Sequence, residues 1–185
     1  MKDEILADCA DNMDKTLVAL KRDFMRIRTG RASTALLDGI KVNCYDSQMP
    51  LDQVASLSVP ESRLITIKPW DQSIIGEIEK SILKSELGLT PANDGKIIRI
   101  SIPPLTEERR RELAKLARKM AEESKISVRN HRREANELLK ELKNDKEISE
   151  DDLRRFQGDV QEVTDEFIKK IDAATAEKEK EILEF

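Results

Sequence analysis

The chain has 185 residues, 38% of them charged and only 3% aromatic, with a formal net charge of −4. Its length suits one ordinary domain or two small ones, and its core must be built from Leu, Ile, Val and Ala, as in long amphipathic helices. The net acidity excludes a uniformly basic nucleic-acid coat, so any polyanion binding has to come from local clustering and to weaken with salt.

From about Lys2 to Arg28, Leu6, Cys9, Met13, Leu17, Leu20, Phe24 and Ile27 recur at three- and four-residue steps. That is the seam of a helix packed in a bundle. Its last turns carry Lys21, Arg22, Arg26 and Arg28, which either answer the helix macrodipole or extend a cationic surface. Thr29-Gly30 breaks the period.

Between Arg31 and Pro104 the texture changes. Short β-prone runs appear at residues 40–45, 57–59, 64–67 and 97–102, punctuated by Pro50, Pro60, Pro69 and Pro91. Asn93-Asp94-Gly95 signals a turn before the last run. One helix fits between, from about Ser73 to Leu87, ended by Gly88. Trp70 reads as a packing residue rather than a base-stacking platform.

A stretch free of Gly and Pro follows, from Thr106 to about Asp145, dominated by Ala, Leu, Glu, Lys and Arg. These are strong helix formers, and a helix of ~38 residues runs nearly 60 Å. Wound at ~100° per residue, it gathers Leu113, Leu116, Ala117, Met120, Ser124, Ala135, Leu138 and Leu142 on one side. Arg111, Lys115, Arg118, Lys125, Arg129, Arg132, Arg133, Lys140 and Lys143 lie almost opposite, and the acids fall mostly on a flank, from which they do not obviously neutralise the middle of this front. A cationic front of this kind is, on charge content alone, more often a solvated face; its arginines, whose planar forks match phosphate, point the other way, to a surface for the backbone of a folded polyanion such as RNA, and both readings stay open.

Lys143–Lys146 then form a polar turn. Ser149 is placed to cap a third helix, with Glu150, Asp151 and Asp152 in its first turn. Leu153, Phe156, Val160, Val163, Phe167, Ile171 and Ala174 step by three and four along it. Three long segments, each with one apolar seam, hide those seams by packing together. The fold expected is α+β: an elongated three-helix bundle from residues 1–29 and 105–185, with a small α/β domain inserted at 30–104. Two backbone strands join them, at Thr29-Gly30-Arg31 and Pro103-Pro104-Leu105. The permissive Gly30 beside a stiff Pro pair makes a hinge.

Catalytic signatures are missing. His131, the one histidine, sits beside the apolar seam as a packing residue, and neither a Gly-rich phosphate loop nor a Cys/His cluster occurs. Cys9 and Cys44 fit no metal spacing and suit a reducing compartment. The acidic start at Met1-Lys2-Asp3-Glu4 lacks a secretory apolar core, and no apolar run is long enough for a bilayer. A soluble cytoplasmic monomer that is not an enzyme, binds no cofactor or metal and meets no membrane is expected.

End to end, the chain resembles bacterial ribosome recycling factor. The resemblance is carried by Arg28-Thr29-Gly30-Arg31-Ala32, by Pro104-Leu105-Thr106-Glu107-Glu108-Arg109-Arg110, and above all by Val128-Arg129-Asn130-His131-Arg132-Arg133-Glu134-Ala135-Asn136. Asp145-Lys146-Glu147-Ile148-Ser149-Glu150-Asp151 and Lys169-Lys170-Ile171-Asp172 add to it. His131 stands where the family carries an aliphatic residue, and Glu134 where it often carries Asp. The resemblance implies an L-shaped molecule that acts after termination, splitting the ribosome left on the message with elongation factor G and GTP. It implies that the helical rod lies on large-subunit ribosomal RNA through Arg129 and Arg132, with Arg110 and Arg28 as further contacts. Arg133, Lys125 and Arg118 join them from the cationic front. The rival reading is a helical adaptor or co-chaperone whose charges only keep it in solution.

Overall fold

A computed structural model describes residues 2–184. The chain divides into two compact units, one formed by residues up to Arg28 with Glu107–Glu184, the other by Thr29–Thr106.

The first unit consists of α1 (Lys2–Arg26), α4 (Glu107–Asn144) and α5 (Glu150–Glu184), each packed against the other two. Helix α1 buries Cys9, Met13, Leu17, Leu20 and Phe24, and α5 buries Leu153, Val160, Phe167 and Ile171. Met13 and Ile171 are wholly enclosed. These seams follow the expected period. The seam of α4 does not: it consists of Leu113, Ala114, Ala117, Ala121, Val128, Ala135 and Leu139. Leu116 and Leu138, expected inside, are 41% and 48% exposed. From Ala114 to Ala135 the buried positions keep a seven-residue repeat, whereas an ideal helix drifts ~20° per heptad, so a straight projection rotates the seam away from its true line. Alanine at the inner positions lets two neighbouring helices approach α4 closely.

Helices α4 and α5 are joined by a tight turn in which Lys146 takes φ 61°. The Ser149 hydroxyl accepts from the Asp152 amide at 3.1 Å, and the Ser149 amide donates to the Asp152 carboxylate at 3.3 Å. This reciprocal capping box fixes where α5 begins. Hydrogen bonds from Ser149 hold the Asp152 carboxyl below its ordinary pKa.

The second unit contains β1 (Lys41–Cys44), β2 (Ser47–Pro50), α2 (Leu51–Val54), β3 (Ala55–Glu61), β4 (Leu64–Pro69), α3 (Ile75–Lys84), β5 (Pro91–Asn93) and β6 (Ile98–Ser101). Strands β1 and β2 form a hairpin; the rest form an antiparallel sheet in the order β3-β4-β6-β5. Alternation along β4 and β6 turns Ile65, Ile67, Ile98 and Ile100 inward, and the register sets Ile65 opposite Ile100 and Ile67 opposite Ile98. Ile78 and Ile82 of α3 complete this aliphatic core.

The entering and leaving segments are fastened to neighbouring residues of the β3–β4 turn. Ala32 donates its amide to Ser62 O at 2.7 Å, and Ile102 donates to Arg63 O at 2.8 Å. Gly30 takes φ +77°, and a Cβ placed there would lie 3.3 Å from Leu105 Cγ. Only glycine meets both demands without strain.

Three short elements, β2, α2 and β5, carry no periodicity long enough to announce them. The β1–β2 turn holds Tyr45 and Asp46 at φ 46° and 63°, a conformation usually signalled by Asn or Gly. The Tyr45 hydroxyl donates to the Asp71 carboxylate. Trp70, expected to pack, is 70% exposed.

Candidate nucleic-acid interface

Charge along α4 is divided by what each cation touches. At Arg118, Nε and Nη2 donate to the two carboxylate oxygens of Glu179 on α5, at 2.6 and 3.0 Å. This bidentate pair fixes the fork and cancels its charge locally. Hydrogen bonding to Glu179 raises the Arg118 pKa further. One heptad on, Lys125 Nζ lies 2.5 Å from Asp172 of α5 and 3.3 Å from Glu122, with its side chain only 16% exposed. The bond to Asp172 raises its pKa. Arg118 and Lys125, both expected on the RNA-facing front, are thus ion-paired across the α4–α5 seam.

Arg111 pairs with Glu107 at 2.5 Å and Arg109 with Glu112 at 2.8 Å, both within α4; Lys143 reaches Glu150 at 3.3 Å. The acids therefore neutralise more of this helix than their angular position suggested. Much of that neutralisation comes from α5, which a one-helix projection leaves out.

The segment 128–133 is different. Arg129 and Arg133 are exposed and form no ion pair with another described residue. Arg132 Nη1 donates to Gln161 Oε1 of α5 at 3.2 Å, and Gln161 Nε2 donates to Asp165 Oδ1 at 2.9 Å. Arg110 Nη1 donates to the Leu183 carbonyl at 2.9 Å. Both Arg110 and Arg132 are held by neutral acceptors, which orient a guanidinium and leave its charge intact. Arg28 is exposed and likewise forms no ion pair with a described residue.

Val128 and Ala135 anchor this arginine group to the bundle core. His131 is half-buried: Nε2 lies 3.4 Å from the Thr16 hydroxyl of α1, Nδ1 lies 3.3 Å from Glu134, and its carbonyl accepts from the Cys9 thiol at 3.6 Å. These contacts join α1 to the arginine-bearing turns of α4. Burial raises the Cys9 pKa, which disfavours the thiolate. Among the described residues, no cluster of His, Cys, Asp or Glu is arranged to hold a metal. No described helix is long and apolar enough to cross a membrane.

An arginine-rich turn on a long helix of a three-helix bundle, in a chain with a second small unit, defines a helical scaffold protein with an exposed cationic group. The sequence model of the ribosome recycling factor family matches residues 20–183. The chain is 59% identical over 182 residues to the ribosome-recycling factor of Nitratidesulfovibrio vulgaris (strain DP4), covering 98% of each chain. Its identity to the counterpart from Solidesulfovibrio magneticus is 60% over 180 residues, covering 97% of this chain and 98% of the other. A solution structure of ribosome recycling factor aligns with a TM-score of 0.73 at 43% identity, covering 100% of this chain and 98% of the other. A second structure aligns at 0.62 and 43% identity over 99% of both chains. It comprises models for the T. thermophilus ribosome recycling factor and the E. coli elongation factor G bound to the E. coli post-termination complex. The chain belongs to the ribosome recycling factor family.

Proposed function

We propose that this chain binds the post-termination ribosome and, with elongation factor G and GTP, splits it and frees it from the message. The observation that carries this reading is the group Arg129, Arg132 and Arg133. It stands un-neutralised on a bundle-supported helix, in a chain whose relatives are ribosome recycling factors. Phosphate contacts of this kind supply affinity and orientation rather than base readout, and folded ribosomal RNA supplies specificity through shape. Arg110 and Arg28 extend the contact; Arg118 and Lys125 act chiefly to hold α4 to α5.

Force from the GTPase is taken up by the inserted domain, residues 30–104, and passed to the rod through residues 29–31 and 103–105. The division of the chain at Arg28 and Glu107 supports that assignment, as does the Gly30 conformation. The chain itself hydrolyses nothing and works as a cytoplasmic monomer. Light scattering of post-termination ribosomes tests this: the chain with elongation factor G and GTP should split them into subunits, and failure with all three present contradicts the proposal. A crosslink that locks the inserted domain to the rod should abolish splitting while leaving ribosome binding intact.

A further inference from the structure

We infer that Gln161 is a positioning residue for Arg132, aiming its guanidinium at RNA through an acceptor that carries no charge. The inference rests on the ribosomal role proposed above and goes beyond it, because it assigns part of the grip to α5. Gln161 is exposed on α5. Its two ends are nonetheless both engaged: Oε1 accepts from Arg132 Nη1 at 3.2 Å, while Nε2 donates to Asp165 Oδ1 at 2.9 Å.

An amide can present either a donor or an acceptor, and the wrong end would set N–H against N–H at Arg132. An ionised carboxylate only accepts, so Asp165 takes the NH2 and leaves the oxygen toward the arginine. The result is a relay, Asp165 to Gln161 to Arg132, that restricts a long side chain before RNA arrives. Guanidinium has five N–H donors, and only one is engaged here, so a second edge stays open for a bidentate phosphate contact. Arg118 on the same helix shows the alternative. Its fork is held at least as firmly, but by the Glu179 carboxylate, which occupies two donors and cancels the charge. Orientation without neutralisation requires a neutral acceptor, and Gln161 supplies one.

Binding to large ribosomal subunits, measured by co-sedimentation across a salt series, tests the relay with five proteins: wild type, Gln161→Leu, Gln161→Glu, Arg132→Ala and Arg132→Ala with Gln161→Leu. Gln161→Leu should weaken binding about two- to tenfold, the range for one lost hydrogen bond, with the salt slope unchanged because the charge remains. Gln161→Glu should weaken binding and also lower the slope, since a carboxylate holds the fork but cancels it; a role in packing alone predicts no such change. In the Arg132→Ala background, Gln161→Leu should add nothing. Wild-type affinity in Gln161→Leu, or an equal loss with and without Arg132, overturns the relay while leaving the ribosomal reading standing. If Arg132→Ala binds and splits ribosomes like wild type, the ribosomal reading of Arg132 falls first and the relay falls with it.

Discussion

Two stretches of α4 hold similar residues and differ in what faces them. Around 118–125, Arg118 and Lys125 meet the α5 carboxylates Glu179 and Asp172. Around 129–133, Arg132 meets the Gln161 amide, and Arg129 and Arg133 pair with no described carboxylate. One helix therefore carries a region fastened to its neighbour and a region of uncompensated arginines, which on the function proposed above grips RNA. Counting its cations does not tell them apart, because the difference lies in the neighbouring helix. Neutralised arginines bind helix to helix; held but uncompensated ones remain available to phosphate.

The two regions should separate stability from binding. The largest stability effect belongs to neither: Ile171→Ala, at a wholly buried position of α5, should cost about 2–5 kcal/mol in denaturant unfolding. That change weakens the scaffold under both regions, and a cost near zero would mean that the α5 seam is not the core. Next, Arg129→Ala with Arg132→Ala should slow ribosome splitting roughly tenfold or more at sub-saturating protein, with thermal unfolding unchanged. Arg118→Ala should do the reverse. It leaves Glu179, whose side chain is 21% exposed, without its partner, so the melting temperature should fall, by less than for Ile171→Ala, while splitting stays near wild type. A matching loss of splitting would erase the distinction between the regions.

The smallest effect concerns the turn that sets the register of α5 against both. Ser149→Ala should cost about 1 kcal/mol by removing the cap. Because hydrogen bonds from Ser149 hold the folded Asp152 carboxyl below its ordinary value, its contribution is present above the unfolded-state pKa and is lost as the pH falls through the lower folded one. Asp152→Asn should therefore flatten the acid limb of a stability–pH curve, and an unchanged limb would show that the box is not formed in solution.

Much of this was legible in the sequence, and the reasons are specific. The seams of α1 and α5 are built mainly on large apolar residues at regular steps, so burial largely follows period, with Thr164 and Lys178 as buried exceptions on α5. Ser149 and Asp152 announce a helix start through local chemistry alone. The seam of α4 is built largely on alanines, which carry little hydrophobic signal, and larger exposed residues such as Leu116 and Leu138 draw a projection toward themselves. Arg129, Arg132 and Arg133 stand out as a cluster, but the acids at Glu179 and Asp172 lie 61 and 47 positions from the cations they cancel, and only the packed bundle brings them together. Gln161 gave no signal, since an exposed glutamine becomes informative only once Arg132 and Asp165 flank it. The exposed Trp70 gave no warning either: Pro69, the last residue of β4, is buried, while Trp70 lies in the bend just beyond the strand.

The most direct measurement is the salt dependence of binding to large ribosomal subunits for wild type and two double variants, Arg129→Ala with Arg132→Ala and Arg118→Ala with Lys125→Ala. The first pair should lower the slope of log affinity against log salt by roughly two, about one for each lost phosphate contact, and the second should leave it near the wild-type value. Equal slopes for the two variants, or a wild-type slope in the first, would contradict the division of α4 into a fastening and a gripping region.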